Sequence, residues 1–134
     1  MNNHDADPNN NFSTLVEMAR YGAVHQPEQR AYTYLIDGGT EGGHLTFAEL
    51  DLQARKVAAM LQSRNARRER MLLLYPTGLE FVAAFFGCLY TGAIAVLLPP
   101  SSCPAASNSY QVACHHQRCT AVVGSNYLID PYEH

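Results

Sequence analysis

Residues 71–100 read MLLLYPTGLEFVAAFFGCLYTGAIAVLLPP, and this stretch decides the fold. Met71 to Tyr75 is a short, continuous apolar run between a charged segment and a Pro-Thr-Gly turn, the pattern of a parallel strand covered on both faces at the sheet centre. Leu79 to Tyr90 is apolar nearly all round through Phe81, Val82, Phe85, Phe86 and Leu89. It predicts a helix buried on most sides, with Gly92 standing where a C-terminal glycine cap belongs. Ala93 to Leu98 predicts a second buried strand, stopped by Pro99 and Pro100. Downstream, Ser109 to Gln117 predicts a further helix and Thr120 to Val123 a third strand. Strand, helix, strand, helix, strand implies a parallel sheet with right-handed crossovers, the Rossmann-like α/β class with flanking helices.

Upstream, Thr14 and Glu17 form a capping-box pair, and Leu15, Met18, Ala19, Gly22 and Ala23 follow at three and four residue steps, predicting a helix from Thr14 to His25. Pro27 marks its end. Ala31 to Ile36 is rich in aromatic and branched residues and reads as a strand; Asp37 to Gly43 reads as a turn, and His44 to Thr46 as the returning partner of a short hairpin. Thr46 and Glu49 repeat the capping box. Behind them Leu50, Ala54, Val57, Ala58 and Leu61 predict a helix ending near Arg64.

With 134 residues the prior is one compact unit. A formal charge of -3 and a single lysine, Lys56, argue against a phosphate-tracking surface, so nucleic acid is not expected as a partner. No apolar run is long enough to cross a bilayer, and no membrane partner is expected. Residues 1–11 are polar and Asn-rich, unlike a secretory leader, and read as a disordered tail of a cytoplasmic protein.

Candidate sites resolve into structural roles. The cluster Arg64, Arg67, Arg68 and Arg70 contains Glu69 and no aromatics, which favours a solvated turn over an anion patch. Cys88 lies in the buried helix as a small hydrophobe. Cys103, Cys114, His115, His116 and Cys119 lack the paired spacing of a zinc site, and adjacent His115 and His116 point apart on a helix. Glu49 caps a helix; Asp51 beside it, and Asp130 with Glu133, read as surface acids. Ser13, Ser63 and Ser125 have no nucleophile-elbow context. Tyr21, Tyr32, Tyr34 and Tyr90 read as core and interface aromatics. In sheets of this kind ligands sit beyond the C-terminal strand ends, so Tyr75-Pro76-Thr77-Gly78 and the loop after Leu98 are the places to look, although neither carries a catalytic group.

Leu45-Thr46-Phe47-Ala48-Glu49-Leu50 resembles the first core motif of the acyl-CoA synthetases, luciferases and peptide-synthetase adenylation domains, and Gly87 to Val96 resembles the second. Phe12 to Glu17, Ala31 to Leu35, and Tyr75 to Phe81 running into Ala83 to Tyr90 are similar to the fatty acyl-AMP ligases. The likeness covers about Phe12 to Pro100. It implies an incomplete N-terminal subdomain of an adenylate-forming enzyme, residues 12–134 being a partial AMP-binding domain that diverges after about residue 100. The reaction so implied is ATP-dependent activation of a long-chain fatty acid: the carboxylate attacks the α-phosphate, pyrophosphate leaves, and the acyl group passes to a carrier thiol.

That family binds phosphate with a Thr/Ser/Gly-rich loop ending in Pro-Lys, and uses a later aspartate and a C-terminal lysine; none of these motifs occurs in this sequence. Gly38 to Gly43 lacks the lysine and reads as a turn. No catalytic, cofactor-binding or metal residue is therefore carried over. ATP and magnesium belong to the parent family, with none expected for this chain alone. After Pro100 the arginine-bearing loop of the ligases is replaced by Ser101 to Ser109, which favours a truncated or remnant reading frame. The expectation is a truncated ligase front without activity of its own, partnered by the remainder of a split ligase or by itself. The fatty acid and the acyl carrier are partners only of the intact parent. The alternative is a non-catalytic binding or oligomerisation module.

Overall fold

The computed structural model describes residues 11–76, 78–97, 119–124 and 127–129. The expected helix through Ser109 to Gln117, the loop after Leu98 and the tail at residues 1–10 lie outside them. The first helix, α1 (Leu15–His25), starts at Thr14, whose hydroxyl accepts the Glu17 backbone N–H at 3.1 Å. The Glu17 carboxylate reaches one residue further back than a strict capping box, accepting from the Ser13 backbone N–H at 2.8 Å.

The hairpin pairs β1 (Arg30–Ile36) with β2 (Thr40–Thr46). Its turn is tighter than the glycine-rich sequence implied. Asp37 and Gly38 both take positive φ, and the Gly39 N–H closes onto the Ile36 carbonyl at 3.1 Å, the twist that matches two antiparallel strands. Thr40 to Gly43 therefore belongs to the strand and not to the turn. Gly42 is accommodated because its missing side chain leaves the space that Ile36 and Tyr34 occupy from across the ladder.

Two helices form the middle layer. In α2 (Phe47–Gln62) the Thr46 hydroxyl accepts the Glu49 N–H, and the Glu49 carboxylate accepts the Thr46 N–H, each at 3.2 Å. The last helix, α3 (Leu79–Thr91), ends on Gly92 at φ 78°, the left-handed cap its sequence calls for. The all-round apolar character of α3 follows from its position between two cores. Ala84, Cys88 and Phe81 pack with Leu61, Met71, Leu73, Ala121 and Val123 on the sheet side. Phe86, Leu79, Val82 and Leu89 pack with Ala19, Leu45, Leu50 and Ala54 on the hairpin side.

The helices come close together at Gly87. A Cβ there would stand 2.5 Å from Cγ1 and 2.6 Å from Cβ of Val57, and 3.2 Å from the Ala54 carbonyl oxygen. A little further on, the buried Thr91 hydroxyl donates to the Gly87 carbonyl at 3.0 Å and lies 3.4 Å from that of Ala58.

The sheet runs β4-β3-β5-β6, with β3 (Arg70–Leu73) parallel to both β4 (Ile94–Leu97) and β5 (Ala121–Gly124). The α/β class and the central place of β3 are as the sequence implied; Met71, Leu72 and Leu73 are buried. Two expectations need correction. The strand after Gly92 is no buried strand: β4 is the sheet's edge among the described residues, with Ile94 49% and Leu97 50% exposed. Apolar composition records what a strand can pack against, not whether a neighbour is there. Also, β6 (Tyr127–Ile129), to which the sequence assigned no element, returns antiparallel along β5.

Replacing Gly87 with alanine tests the close helix contact. Alanine is the better helix former, yet Gly87→Ala is expected to lose about 1–3 kcal/mol because the methyl collides with a branched side chain fixed at its own Cβ. Urea denaturation of the two proteins checks this; an unchanged or higher midpoint refutes it.

Candidate functional site

The C-terminal end of β3 opens into a cleft of about 330 Å³ between α2 and α3. Gln53, Lys56 and Val57 line it from one face of α2, Glu80 and Ala83 from the first turns of α3, and Tyr75 from the segment just after the strand. This is where an open parallel sheet places a ligand, and Tyr75 is one of the positions singled out by sequence. Its chemistry is sparse. One ammonium, one carboxylate and one amide surround an apolar floor, without a nucleophile paired to a base. The Tyr75 hydroxyl is committed, donating to the Gly124 carbonyl at 2.9 Å and tying β3 to β5.

A second polar group was hidden in the sequence. Asp51, read there as a surface acid, is only 8% exposed. Its Oδ1 accepts the Tyr90 hydroxyl at 2.8 Å and its Oδ2 lies 3.1 Å from Nε of Arg55, one helical turn away. Burying a carboxylate demands such partners. The one that permits burial sits 39 residues off. Burial, then the hydrogen bond to Asp51, then its charge push the Tyr90 hydroxyl above its ordinary pKa, while Arg20 and Arg55 pull the other way. This group locks α3 to α2. It leaves no oxygen facing a reactant.

The remaining candidates fall into place individually. Glu49 and Glu17 are occupied at helix starts. Arg64, Arg67, Arg68 and Arg70 are exposed, and Arg68 takes φ 65° with its N–H on the Gly92 carbonyl at 2.9 Å, so their turn is a structural one. Ser63 donates back to the Met60 carbonyl at 2.6 Å. Tyr21 stacks on His25 at 4.0 Å and meets Phe12 at 5.2 Å; Tyr32 packs edge-on against Phe86; Tyr32 and Tyr34 remain part-exposed on the hairpin. Cys88 and Cys119 are buried, and burial pushes the Cys88 thiol up to about 12. Among the described residues no three His, Cys, Asp or Glu side chains converge on a metal-sized space. Cys103, Cys114, His115, His116, Ser125, Asp130 and Glu133 lie outside the described residues.

Residues 20–130 match the family model described as AMP-binding enzyme. The chain is 48% identical over 89 residues to the medium-chain fatty acid acyl-carrier-protein ligase JamA of Moorena producens, a match covering 66% of this chain and 15% of JamA. It is 37% identical over 88 residues to Disco-interacting protein 2 of Drosophila melanogaster, covering 64% of this chain and 5% of that protein. Among solved structures, the fatty acyl-adenylate ligase of Legionella pneumophila in complex with acyl adenylate and pyrophosphate aligns with a TM-score of 0.72 at 32% identity. That alignment covers 84% of this chain and 20% of the ligase. The chain thus spans a fifth or less of the length of these relatives.

Two measurements follow from the buried groups. Tyr90→Phe removes a hydrogen bond to a charged acceptor and is expected to cost about 1–2 kcal/mol in urea denaturation; no loss would show the Asp51 contact to be absent in solution. For Cys88 the folded pKa lies above the ordinary thiol value of 9.0. The unfolded chain therefore loses its proton first, so stability is full below pH 9 and falls as pH rises toward about 12. Denaturation midpoints at about pH 8 and about pH 10.5 should differ, and Cys88→Ala should reduce that difference. An equal alkaline loss in the variant overturns the assignment.

Proposed function

We infer the function from one premise: the chain belongs to the AMP-binding enzyme family. Its fold is that of the N-terminal part of adenylate-forming enzymes, and its closest reading within them is the front of a fatty acyl-AMP ligase. On this reading the chain supplies scaffold to a reaction in which ATP activates a fatty acid to an acyl-adenylate and the acyl group passes to a carrier protein. The observation that supports it is one of coincidence. The chain aligns with a fatty acid ligase over 66% of its length in sequence and superposes on a fatty acyl-adenylate ligase over 84% in fold.

Among the described residues, the cleft offers a single carboxylate, Glu80, and a single ammonium, Lys56, and does not fit the nucleotide or its metal. A magnesium-bound triphosphate needs carboxylates with free lone pairs and N–H donors converging on phosphate oxygens. Asp51 is held by Tyr90 and Arg55, Glu17 and Glu49 by helix N–H groups, and the glycine-dense stretch runs along an antiparallel ladder. We therefore assign nucleotide, metal and acyl-transfer steps to the remainder of a ligase, and give this part positioning roles: holding the helix pair rigid and presenting the sheet. A cytoplasmic location belongs to the same proposal; no described helix is long and apolar enough to cross a membrane. Exposed Tyr32, Tyr34, Leu35 and Ile36 on the hairpin favour a second reading, a binding or oligomerisation module built on the same fold.

ATP–pyrophosphate exchange separates the two. The full chain alone, given ATP, magnesium and fatty acids of several lengths, is expected to show no exchange above blank. Residues 12–97 grafted into JamA in place of the segment they match are expected to give an active ligase. Exchange by the chain alone overturns the assignment of catalysis to the remainder. A folded but inactive graft overturns the ligase reading and leaves the module.

A further inference from the structure

We propose that the turn between α2 and β3 docks an acidic peptide segment of a partner protein, whose carboxylates are held by Arg64, Arg67 and Arg68. Positive charge is concentrated there as nowhere else in the sequence. Four of the nine lysines and arginines fall within residues 64–70, in a protein of net charge -3. Arg64, Arg67 and Arg68 are all exposed. The ion pairs among the described residues join Arg30 to Glu41, His44 to Glu41 and Arg55 to Asp51, and none involves these three arginines. The acid within the turn is already engaged, since the Glu69 carboxylate accepts the Thr120 hydroxyl at 2.5 Å.

The backbone of the turn serves the fold and is held firmly. Ala66 is fully buried, and the N–H groups of Ala66, Glu69 and Arg68 donate to the carbonyls of Leu61, Ala66 and Gly92 at 3.2, 3.0 and 2.9 Å. Two residues take left-handed backbone, Asn65 at φ 53° and Arg68 at φ 65°. Asparagine tolerates that region, whereas arginine enters it at a cost that glycine would not incur. A long cationic side chain thus stands where the fold by itself favours none. Backbone strain of this kind collects at binding sites.

The chemistry selects the occupant. Every cation of the cluster is an arginine, whose planar fork matches carboxylates two bonds at a time. A nucleic acid needs cations that track along its backbone, and outside this turn they are scattered. A membrane surface needs apolar side chains between the charges, and the one apolar residue within 64–70 is the buried Ala66. A second copy of this chain is a poor source of carboxylates. Glu17, Glu41, Glu49 and Asp51 are engaged within the fold, and Glu28, Asp37 and Glu80 lie on separate elements.

The test follows a rhodamine-labelled peptide of alternating glutamate and alanine by fluorescence anisotropy as the full chain is added at low salt. Arg64→Gln, Arg67→Gln and Arg68→Gln combined should weaken binding about tenfold, whereas Arg20→Gln, on α1, should leave it unchanged. Arg68→Gly separates binding from folding. It relieves the left-handed strain, so its urea midpoint should hold or rise while its binding weakens. That variant keeps the proposal falsifiable should the triple variant misfold.

Undiminished binding by a folded triple variant, or by Arg68→Gly, overturns the proposal. So does equal binding of a peptide with glutamine in place of glutamate. Tighter capture by phosphatidylglycerol vesicles overturns it in favour of a membrane, and displacement of the peptide by equimolar inorganic phosphate does so in favour of a phosphate site. The ligase reading stands or falls separately, because this turn has no part in it.

Discussion

The contact between α2 and α3 at Gly87 is the constraint on which the rest depends. Any side chain at that point would collide with Val57, so the two helix axes can come together only because one residue has none. Their closeness creates a thin middle layer with an apolar surface on each side, and each surface seeds its own core. One core takes in the sheet, the other the hairpin and α1. Prising the helices apart would loosen both at once, because Phe85 packs against the two cores together.

The polar contacts reinforce the same pair. Asp51 on α2 receives the Tyr90 hydroxyl from α3, and the Thr91 hydroxyl lies close to the Ala58 carbonyl. Both sit at the C-terminal end of α3, just before the chain reverses through Gly92 into β4. Such committed side chains suit a supporting layer. They rigidify by being fully satisfied, and a group so satisfied has nothing left to offer a substrate. The cleft at the end of β3 lies at the opposite end of α3, where Glu80 and Ala83 face Lys56 and Tyr75.

How much of this was legible depended on whether the cause was local. Helix α2 was plain because its capping box and its apolar period lie within one stretch, and β3 because a continuous apolar run has few other uses. The hairpin was visible but its turn was drawn too long. Glycine is scarce in strands, and nothing near Gly42 reveals that Tyr34 and Ile36 fill the space above it. The burial of Asp51 was invisible for the same reason, its partner Tyr90 being remote in sequence. The exposure of β4 was equally hidden, since it depends on a neighbour rather than on any residue of the strand. Of the candidate site, only Tyr75 was marked in advance. Lys56 and Gln53 carry no motif, and only the fold brings them to the end of β3.

The Tyr75 hydroxyl bond to Gly124 spans 49 residues and carries a kinetic consequence. Closing so long a loop costs chain entropy before the β3 to β5 ladder returns any stabilisation. The hairpin, by contrast, is joined by three residues, and its core needs nothing beyond Phe86 and its neighbours. As the chain leaves the ribosome, the hairpin side can assemble while β3 has no strand on the flank that β5 will occupy. The β3 to β5 ladder is thus the late part of the described fold, and the flank of β3 that β5 covers is the one a chaperone would meet unpaired.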